Sequence, residues 1–245
     1  RTRRQVTITS VGQDVETQAR LCLRDVESLV EIAGKRQKPL TGPLRLGVIP
    51  TIAPFLLPGL LPGLRRKFSA LKLFLVEDQT EDLHARLLDG EIDLMLLALP
   101  YDLRSTETIS LFRDKFCLAI REGSSITNPE NYRFNRLQSD SILLLEDGHC
   151  LRDHALDACR VRDTEKVSRF AASSLLTLIE MIDADLGISF LPEMARGSTL
   201  LRNTRVRMHK MPDRSYREIG LAWRKGSGRS EEFRMLGDYV RGQQS

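Results

Sequence analysis

The feature that most constrains the fold of this chain is a regular alternation of short apolar runs with helical patterns after residue 41. The run 44–49 is followed at Pro50 and Thr51 by a helical pattern, and the runs 71–77 and 92–99 repeat the arrangement. Short apolar runs of this kind, bounded by turn residues, are typical of buried strands. Strands that alternate with helices predict a βαβαβ unit with a parallel sheet, and therefore an α/β fold.

The rest of the chain continues the α/β pattern. Further strands are predicted over 116–120, 141–145, 187–191 and 219–223, and further helices over 151–161, 173–184 and 230–241. In open parallel sheets, ligands bind beyond the carboxyl ends of the strands, where helix N-termini point outward. Thr51 follows the first strand, Thr80 follows the second, and His149 and Cys150 follow the strand at 141–145. Each Thr can be explained as a helix N-cap, but the joint placement also predicts that these loops converge on one crevice.

Cys150 lies in a polar, turn-like segment that reads Glu-Asp-Gly-His-Cys-Leu-Arg-Asp over 146–153, just where a helix should begin. A helix N-terminus favours an anion, and His149 and Arg152 add positive charge when they point toward the sulfur. These features predict a thiolate. A thiol with only a structural role has little reason to lie in such a setting, so Cys150 is predicted to be redox-active.

The spacing of Cys159 leaves two interpretations open. Nine positions separate it from Cys150, which is roughly 13 Å of rise along an unbroken helix. A disulfide needs Cα atoms about 4.4–6.8 Å apart. The two thiols are therefore either independent structural cysteines or the two ends of a conformational switch.

The other two cysteines fit a structural role better. Cys117 lies in an apolar run and Cys22 has apolar neighbours at helical spacing, so both are predicted to be small core residues. The four cysteines show no CxxC pair and no Cys/His ligand spacing. We therefore expect neither a metal site nor a cofactor.

Composition indicates an ordinary globular protein with one large or two modest cores. The chain has 245 residues, of which 41% are hydrophobic and 29% charged. Its net charge of +4 is compatible with nucleic-acid association, but a single Trp and four Tyr argue against a base-stacking surface. No apolar run has the length of a membrane span and no signal peptide is present, so a cytoplasmic protein without membrane contact is expected. The absence of an initiator Met predicts that residue 1 is not the native start.

Residues 13–36 are predicted to form one long helix with a narrow apolar stripe. The stripe alternates steps of four and three, as a two-stranded coiled-coil seam does; its members are Val15, Ala19, Cys22, Val26, Leu29 and Ala33. A breaker-rich linker follows the helix. The stripe can pack on its own domain, but the linker favours dimerisation with a second copy.

Together these segments resemble the LysR-type transcriptional regulators. Residues 1–11 and the long helix resemble the end of a winged helix-turn-helix and a linker helix, and the remainder resembles the family's two-lobed, periplasmic-binding-protein-like effector domain. The likeness continues in Gly-Val-Ile-Pro-Thr at 47–51 and Gly-Ile-Ser-Phe-Leu-Pro at 187–192. The segment 145–153 with Cys159 is similar to the peroxide-sensing segment of hydrogen-peroxide-responsive members.

The resemblance implies a division of the chain into four parts. Residues 1–11 would end the winged helix-turn-helix and 12–40 would form the linker helix and hinge. Lobe I would comprise 41–113 and 218–245, and lobe II, with the redox cysteines, 114–217.

The resemblance also implies roles. Cys150 would be the peroxidatic cysteine and Cys159 the resolving one, and their disulfide would change subunit packing and DNA binding. The residues that would hold peroxide or activate the thiolate are Thr51, Thr80, His149, Asp153 and Arg217.

The implied partners are hydrogen peroxide, promoter DNA, RNA polymerase and further copies of the chain, as a homodimer or homotetramer. Eleven residues cannot hold a helix-turn-helix, so DNA would be bound through an N-terminal domain that this chain lacks. The main alternative is a LysR-type regulator that senses a small organic metabolite in the crevice between the lobes. A thiol peroxidase ranks last, because the chain lacks the CxxC of a thioredoxin-like oxidoreductase, and no enzyme activity is expected.

Overall fold

A computed structural model describes residues 8–33, 39–159, 161, 163–211 and 214–243. Within them the elements follow one another as α1 (Ser10–Ala33), β1 (Gly42–Val48), α2 (Ala53–Lys67), β2 (Leu71–Glu77), α3 (Thr80–Leu88), β3 (Leu94–Leu99), β4 (Thr106–Arg121), β5 (Ile142–Leu145), α4 (Cys150–Ala158), β6 (Val167–Ala172), α5 (Leu175–Asp183), β7 (Ser189–Pro192), β8 (Val206–Lys210), β9 (Tyr216–Arg224) and α6 (Ser230–Gly242). Among the described helices, none combines the length and the apolar character that crossing a membrane requires.

The predicted βαβαβ unit is confirmed. β1 pairs in parallel with β2 on one side and with β3 on the other. The sheet then becomes mixed, because β9 returns antiparallel to β3, and β4 runs antiparallel to β9. The α/β class is therefore correct, but the sheet is parallel in only one part.

Strand β4 connects the two halves of the molecule. Its first part, up to Lys115, pairs with β9, and its second part, from Phe116, pairs with β7 and β8. Only the second part was predicted, because it alone is apolar. β6 and β8 were missed for the same reason: their sequences, VSRFAA and VRMHK, carry polar residues at several positions.

Two hydrophobic cores lie on either side of this connection. The first core packs β1, β3, α2 and α6 around Trp223 and Phe233. The second packs β5, β7 and α5 around Phe190 and Ile179. Helix α4 contributes to both cores, since Cys150 belongs to the first and Leu151 and Ala155 belong to the second. The first residue of α4 therefore lies at the junction of two lobes; the lobe boundaries implied by the resemblance stay predictions.

Helix α1 carries its predicted apolar stripe on an unpartnered surface. Val15, Val26 and Leu29 are exposed, and so is Cys22. The prediction that Cys22 is a core residue is therefore wrong for the single chain, because among the described residues no other element covers this face of α1. The predicted helix end at 34–36, together with the side chain of Ala33, lies outside the described residues.

Candidate functional site

Cys150 is the first residue of α4 and is buried at the junction of the lobes. His149 takes the N-cap position with extended backbone, and Gly148 has a φ of 94° that turns the chain into the helix. Only 6% of Cys150 is exposed. The sulfur borders a crevice of about 600 Å³ whose walls come from both lobes. Glu146 and Asp147 are exposed, but Cys150 and His149 are buried, so the setting of the thiol is less open than the sequence indicated.

The predicted resting thiolate is also wrong. Burial raises the pKa of Cys150 above its ordinary value, and the nearby Asp153 carboxylate raises this pKa further. Hydrogen bonding from Thr80, the charge of Arg217 and a backbone hydrogen bond from Ala98 lower the pKa but do not outweigh burial. A charged sulfur loses its hydration when it is buried, and this cost exceeds the favourable contacts. The resting group is a thiol.

Thr80 places a hydroxyl beside the sulfur of Cys150. It is not the predicted N-cap of α3, because Gln79 takes that position and makes no side-chain cap. The Thr80 oxygen is buried and has no partner of full hydrogen-bond geometry among the described residues. Its contact with the thiol lowers the pKa of Cys150, so we treat that contact as a weak hydrogen bond.

Arg217 is the centre of a fully buried network next to Cys150. Its Nε donates to Asp114 Oδ2 at 3.0 Å, and its two Nη atoms donate to Thr51 Oγ1 at 3.0 Å and to the Thr51 carbonyl at 2.9 Å. The backbone N–H of Met194 donates to the other Asp114 oxygen at 3.2 Å. Arg217 and Asp114 face each other across β9 and β4. Thr51 is therefore not an N-cap either, since Ile52 takes that place in α2.

The remaining charged neighbours of Cys150 divide into two groups. Asp153 lies on the wall of the crevice. Arg152 does not face the sulfur: it pairs with Asp147 at 2.9 Å and donates to the Leu145 carbonyl. The side chain of His149 is buried but makes no hydrogen bond within the described part of the chain. The positive charge predicted from His149 and Arg152 is thus replaced by that of Arg217.

Cys159 lies at the other end of α4, as its C-cap. It packs against the second core, and its sulfur is 3.9 Å from that of Met211. Burial raises the pKa of Cys159 to about 12. Both Cys150 and Cys159 are free thiols here. The structure therefore brings Thr51, Thr80, Asp153 and Arg217 to Cys150, but keeps Cys159 a helix length away.

Sequence reasoning missed two residues of this site. Asp114 lies in the charged run Arg113-Asp114-Lys115, which resembles any solvated strand edge, so nothing in the sequence indicated its burial. His154 lines the crevice together with Cys150. Its position four residues after Cys150 places it on the same helix face, and that spacing could have identified it.

Replacing Gly148 with Ala is expected to destabilise the fold by about 1–2 kcal/mol from backbone strain, with a small further cost because the new Cβ displaces the end of the Gln79 side chain. Gly226 provides the control: its φ is 79°, but nothing surrounds a Cβ there. Urea unfolding of Gly148→Ala and Gly226→Ala measures the difference. Equal losses would show that the approach of Gln79 to Gly148 is unimportant.

Comparison with known proteins assigns the chain. A sequence model of the LysR substrate binding domain matches residues 37–245. The DNA-binding transcriptional dual regulator OxyR of Escherichia coli is 36% identical over 98% of this chain and 79% of its own length. This chain belongs to the OxyR group of the LysR-type regulators. Another LysR-type relative is the HTH-type transcriptional regulator EstR of Acinetobacter baylyi, 34% identical over 98% of this chain and 80% of its own length.

Solved OxyR structures share the fold. The reduced regulatory domain of OxyR2 from Vibrio vulnificus has a TM-score of 0.80 and 39% identity, and covers 85% of this chain and 98% of that one. A mutant OxyR of Corynebacterium glutamicum, described as H2O2-bound, has a TM-score of 0.78 and 31% identity over 99% of this chain and 77% of that one. The expected two-lobed effector fold of this LysR-type chain is thereby confirmed, and its relatives are regulators rather than enzymes.

Proposed function

We propose that this chain is the sensing part of a hydrogen-peroxide-responsive transcriptional regulator, in which Cys150 is oxidised first and Cys159 then closes a disulfide. The observation that carries the proposal is the buried hydroxyl of Thr80, which lies beside the Cys150 sulfur without a full hydrogen-bond partner. Leaving a buried polar group unpaired costs about 1–3 kcal/mol. A small hydroxylic ligand such as peroxide removes that cost while touching the sulfur.

The first step is a two-electron oxidation of Cys150. The thiol gives up its proton, the sulfur attacks one peroxide oxygen, and the O–O bond breaks. The other oxygen leaves as hydroxide and takes up the proton as water, so the sulfur becomes a sulfenic acid. Thr51 uses its oxygen to accept from Arg217, so its O–H hydrogen can donate to the ligand. Arg217 and the two threonines supply the positive charge and the donors that stabilise the leaving oxygen.

The second step requires α4 to unwind. Cys159 would attack the sulfenic sulfur, form the S–S bond and release water. In the reduced fold, however, the helix separates the two sulfurs, and burial raises the pKa of Cys159 to about 12. Helix α4 is suited to such a change: it has nine residues, no side-chain cap and three buried residues. We infer that Cys150 and Cys159 are the two ends of a switch rather than independent structural thiols.

The output of the switch would be a change in subunit packing. The exposed apolar stripe of α1 supports self-association, because Val15, Val26 and Leu29 would be covered by a second helix. In this proposal, lobe II (114–217) carries the switch, and the 12–40 linker transmits the change to a DNA-binding domain on promoter DNA. RNA polymerase would be the downstream partner, and the regulator would act in the cytoplasm as a homodimer or homotetramer.

Peptide mapping by mass spectrometry after one equivalent of hydrogen peroxide tests this function. We expect the peptides that hold Cys150 and Cys159 to become joined, while Cys22 and Cys117 stay reduced. Cys117 is the internal control, because burial raises its pKa to about 12 and its thiol donates to Glu193. Four free thiols after the treatment would contradict the proposal.

A regulator that binds a small organic anion is the second candidate. The crevice beside Cys150 has a volume of about 600 Å³ and is lined by Arg214 and Arg217. This is far more room than one peroxide molecule needs, and the exposed guanidinium group of Arg214 suits a carboxylate. Two results together would favour this candidate. Calorimetry would show saturable binding of an organic acid, and the thiols of the same chain would resist peroxide.

A further inference from the structure

His154 occupies a position from which it can act on the Cys150 thiol. It follows Cys150 by four residues on the continuous helix α4, so the two side chains are neighbours on one face, with Cβ atoms about 5–6 Å apart. Both side chains line the crevice between the lobes.

The hydrogen bond of His154 defines which ring nitrogen is basic. Its Nε2 lies 3.2 Å from the carbonyl oxygen of Pro100, in the loop after β3. A carbonyl can only accept, so Nε2 carries the hydrogen, and in the neutral ring Nδ1 holds the lone pair. Nδ1 is buried and has no hydrogen-bond partner in the described part of the chain. The structure therefore presents an unpaired base one helical turn from the thiol.

The surroundings keep this base neutral. Burial lowers the pKa of His154, and the Arg217 guanidinium lowers it further; the hydrogen bond to Pro100 and the carboxylates of Asp153 and Asp157 act in the opposite direction. The other ionisable groups on the crevice wall are Cys150, Tyr101, Arg214, Tyr216 and Glu218. The imidazole is thus unprotonated at neutral pH and able to accept a proton.

We propose that His154 Nδ1 is the group that takes the proton of the Cys150 thiol and returns it to the leaving oxygen of the peroxide. When a water or peroxide molecule enters between the two groups and bridges them, the proton moves from sulfur to Nδ1. The thiolate attacks the nearer peroxide oxygen, the O–O bond breaks, and Nδ1–H protonates the departing hydroxide to water. Atoms and charge balance, and the sulfur has lost two electrons.

This inference rests on the proposed function and accounts for a difficulty within it. Peroxide reacts with the thiolate, yet the resting sulfur is a thiol. A neutral thiol–imidazole pair is the favoured resting form in a buried site, because an ion pair there would lose its hydration. The base allows the thiolate to form at the moment of reaction, so the sensor stays inert in the absence of peroxide.

The pH dependence of sulfenic acid formation tests the proposal. With His154 as the base, the second-order rate constant of the natural chain should change less than about threefold between pH 7 and 8.5. This range lies above the pKa of His154 and below the pKa of Cys150, so neither group changes its protonation state. The rate constant should fall at pH values below the lowered pKa of His154, where the imidazole becomes protonated. A rate that rises about tenfold per pH unit from pH 7 to 8.5 would overturn the inference, since it would follow the thiolate fraction alone.

The variant His154→Gln separates the base from the structural contact. The Gln amide can still donate to the Pro100 carbonyl but cannot take up a proton. We expect the rate at pH 7 to fall about 100-fold and to regain the tenfold rise per pH unit, with an unchanged urea midpoint. His154→Ala, which also loses the contact to Pro100, should be equally slow.

A His154→Gln variant that reacts like the natural chain, whether or not His154→Ala is slow, would overturn the role of Nδ1 while leaving the proposed function intact. A natural chain in which Cys150 is never oxidised would overturn the proposed function itself.

Discussion

Replacing Cys150 with Ser is expected to abolish the reaction with hydrogen peroxide completely. A serine hydroxyl keeps the size of the thiol, but it is neither a nucleophile toward the O–O bond nor able to form a sulfenic acid. The readout is trapping with dimedone followed by mass spectrometry, together with the peptide link between positions 150 and 159. Both signals should be absent in Cys150→Ser at peroxide levels that oxidise the natural chain fully.

Two further variants bracket this result. Cys159→Ser should still trap dimedone at Cys150 but should form no internal disulfide, because the resolving thiol is gone. Cys117→Ser should behave like the natural chain, because that thiol is buried against Glu193 and Arg196. An unchanged peroxide response in Cys150→Ser would exclude the proposed function.

Replacing Asp114 with Asn is expected to reduce the free energy of unfolding by about 3–5 kcal/mol. The substitution leaves the Arg217 guanidinium buried without its carboxylate, and both residues are nearly inaccessible to solvent. An Asn side chain can still accept from Met194 and so keeps the shape of the site. Burial raises the pKa of Asp114, while Arg217 and the Met194 N–H lower it. The hydrogen-bond geometry of the buried site holds Asp114 and Arg217 together.

An exposed ion pair provides the matched control for Asp114. Asp102 pairs with Arg104 at 3.8 Å, and both side chains are more than four-fifths exposed. Asp102→Asn should therefore alter stability by less than about 1 kcal/mol. Urea denaturation of the two variants in the same buffer measures the contrast. Similar midpoints would show that the Arg217 network contributes little to holding the lobes together.

The sequence by itself determined the local structure and the identity of the reactive loop. Apolar runs with the right periodicity specify β1, β2 and β3 and the helices between them, since these elements depend on neighbouring residues alone. The same local signals placed Gly148 before α4 and Cys150 at its start. The likeness of 145–153 to a peroxide-sensing segment predicts the chemistry of this loop, which stays a proposal for Cys150 and Cys159.

The tertiary structure decided what surrounds the sulfur. Asp114 and Arg217 are 103 residues apart in the chain and meet only because β4 and β9 are neighbours. Thr80 and Pro100 come from the other lobe, so neither the burial of Cys150 nor the orientation of His154 can be read from the residues that flank them. Burial of a charged group depends on the whole packed environment. For that reason the local sequence predicted a thiolate, whereas the folded chain holds a protonated thiol one helical turn from an unpaired base.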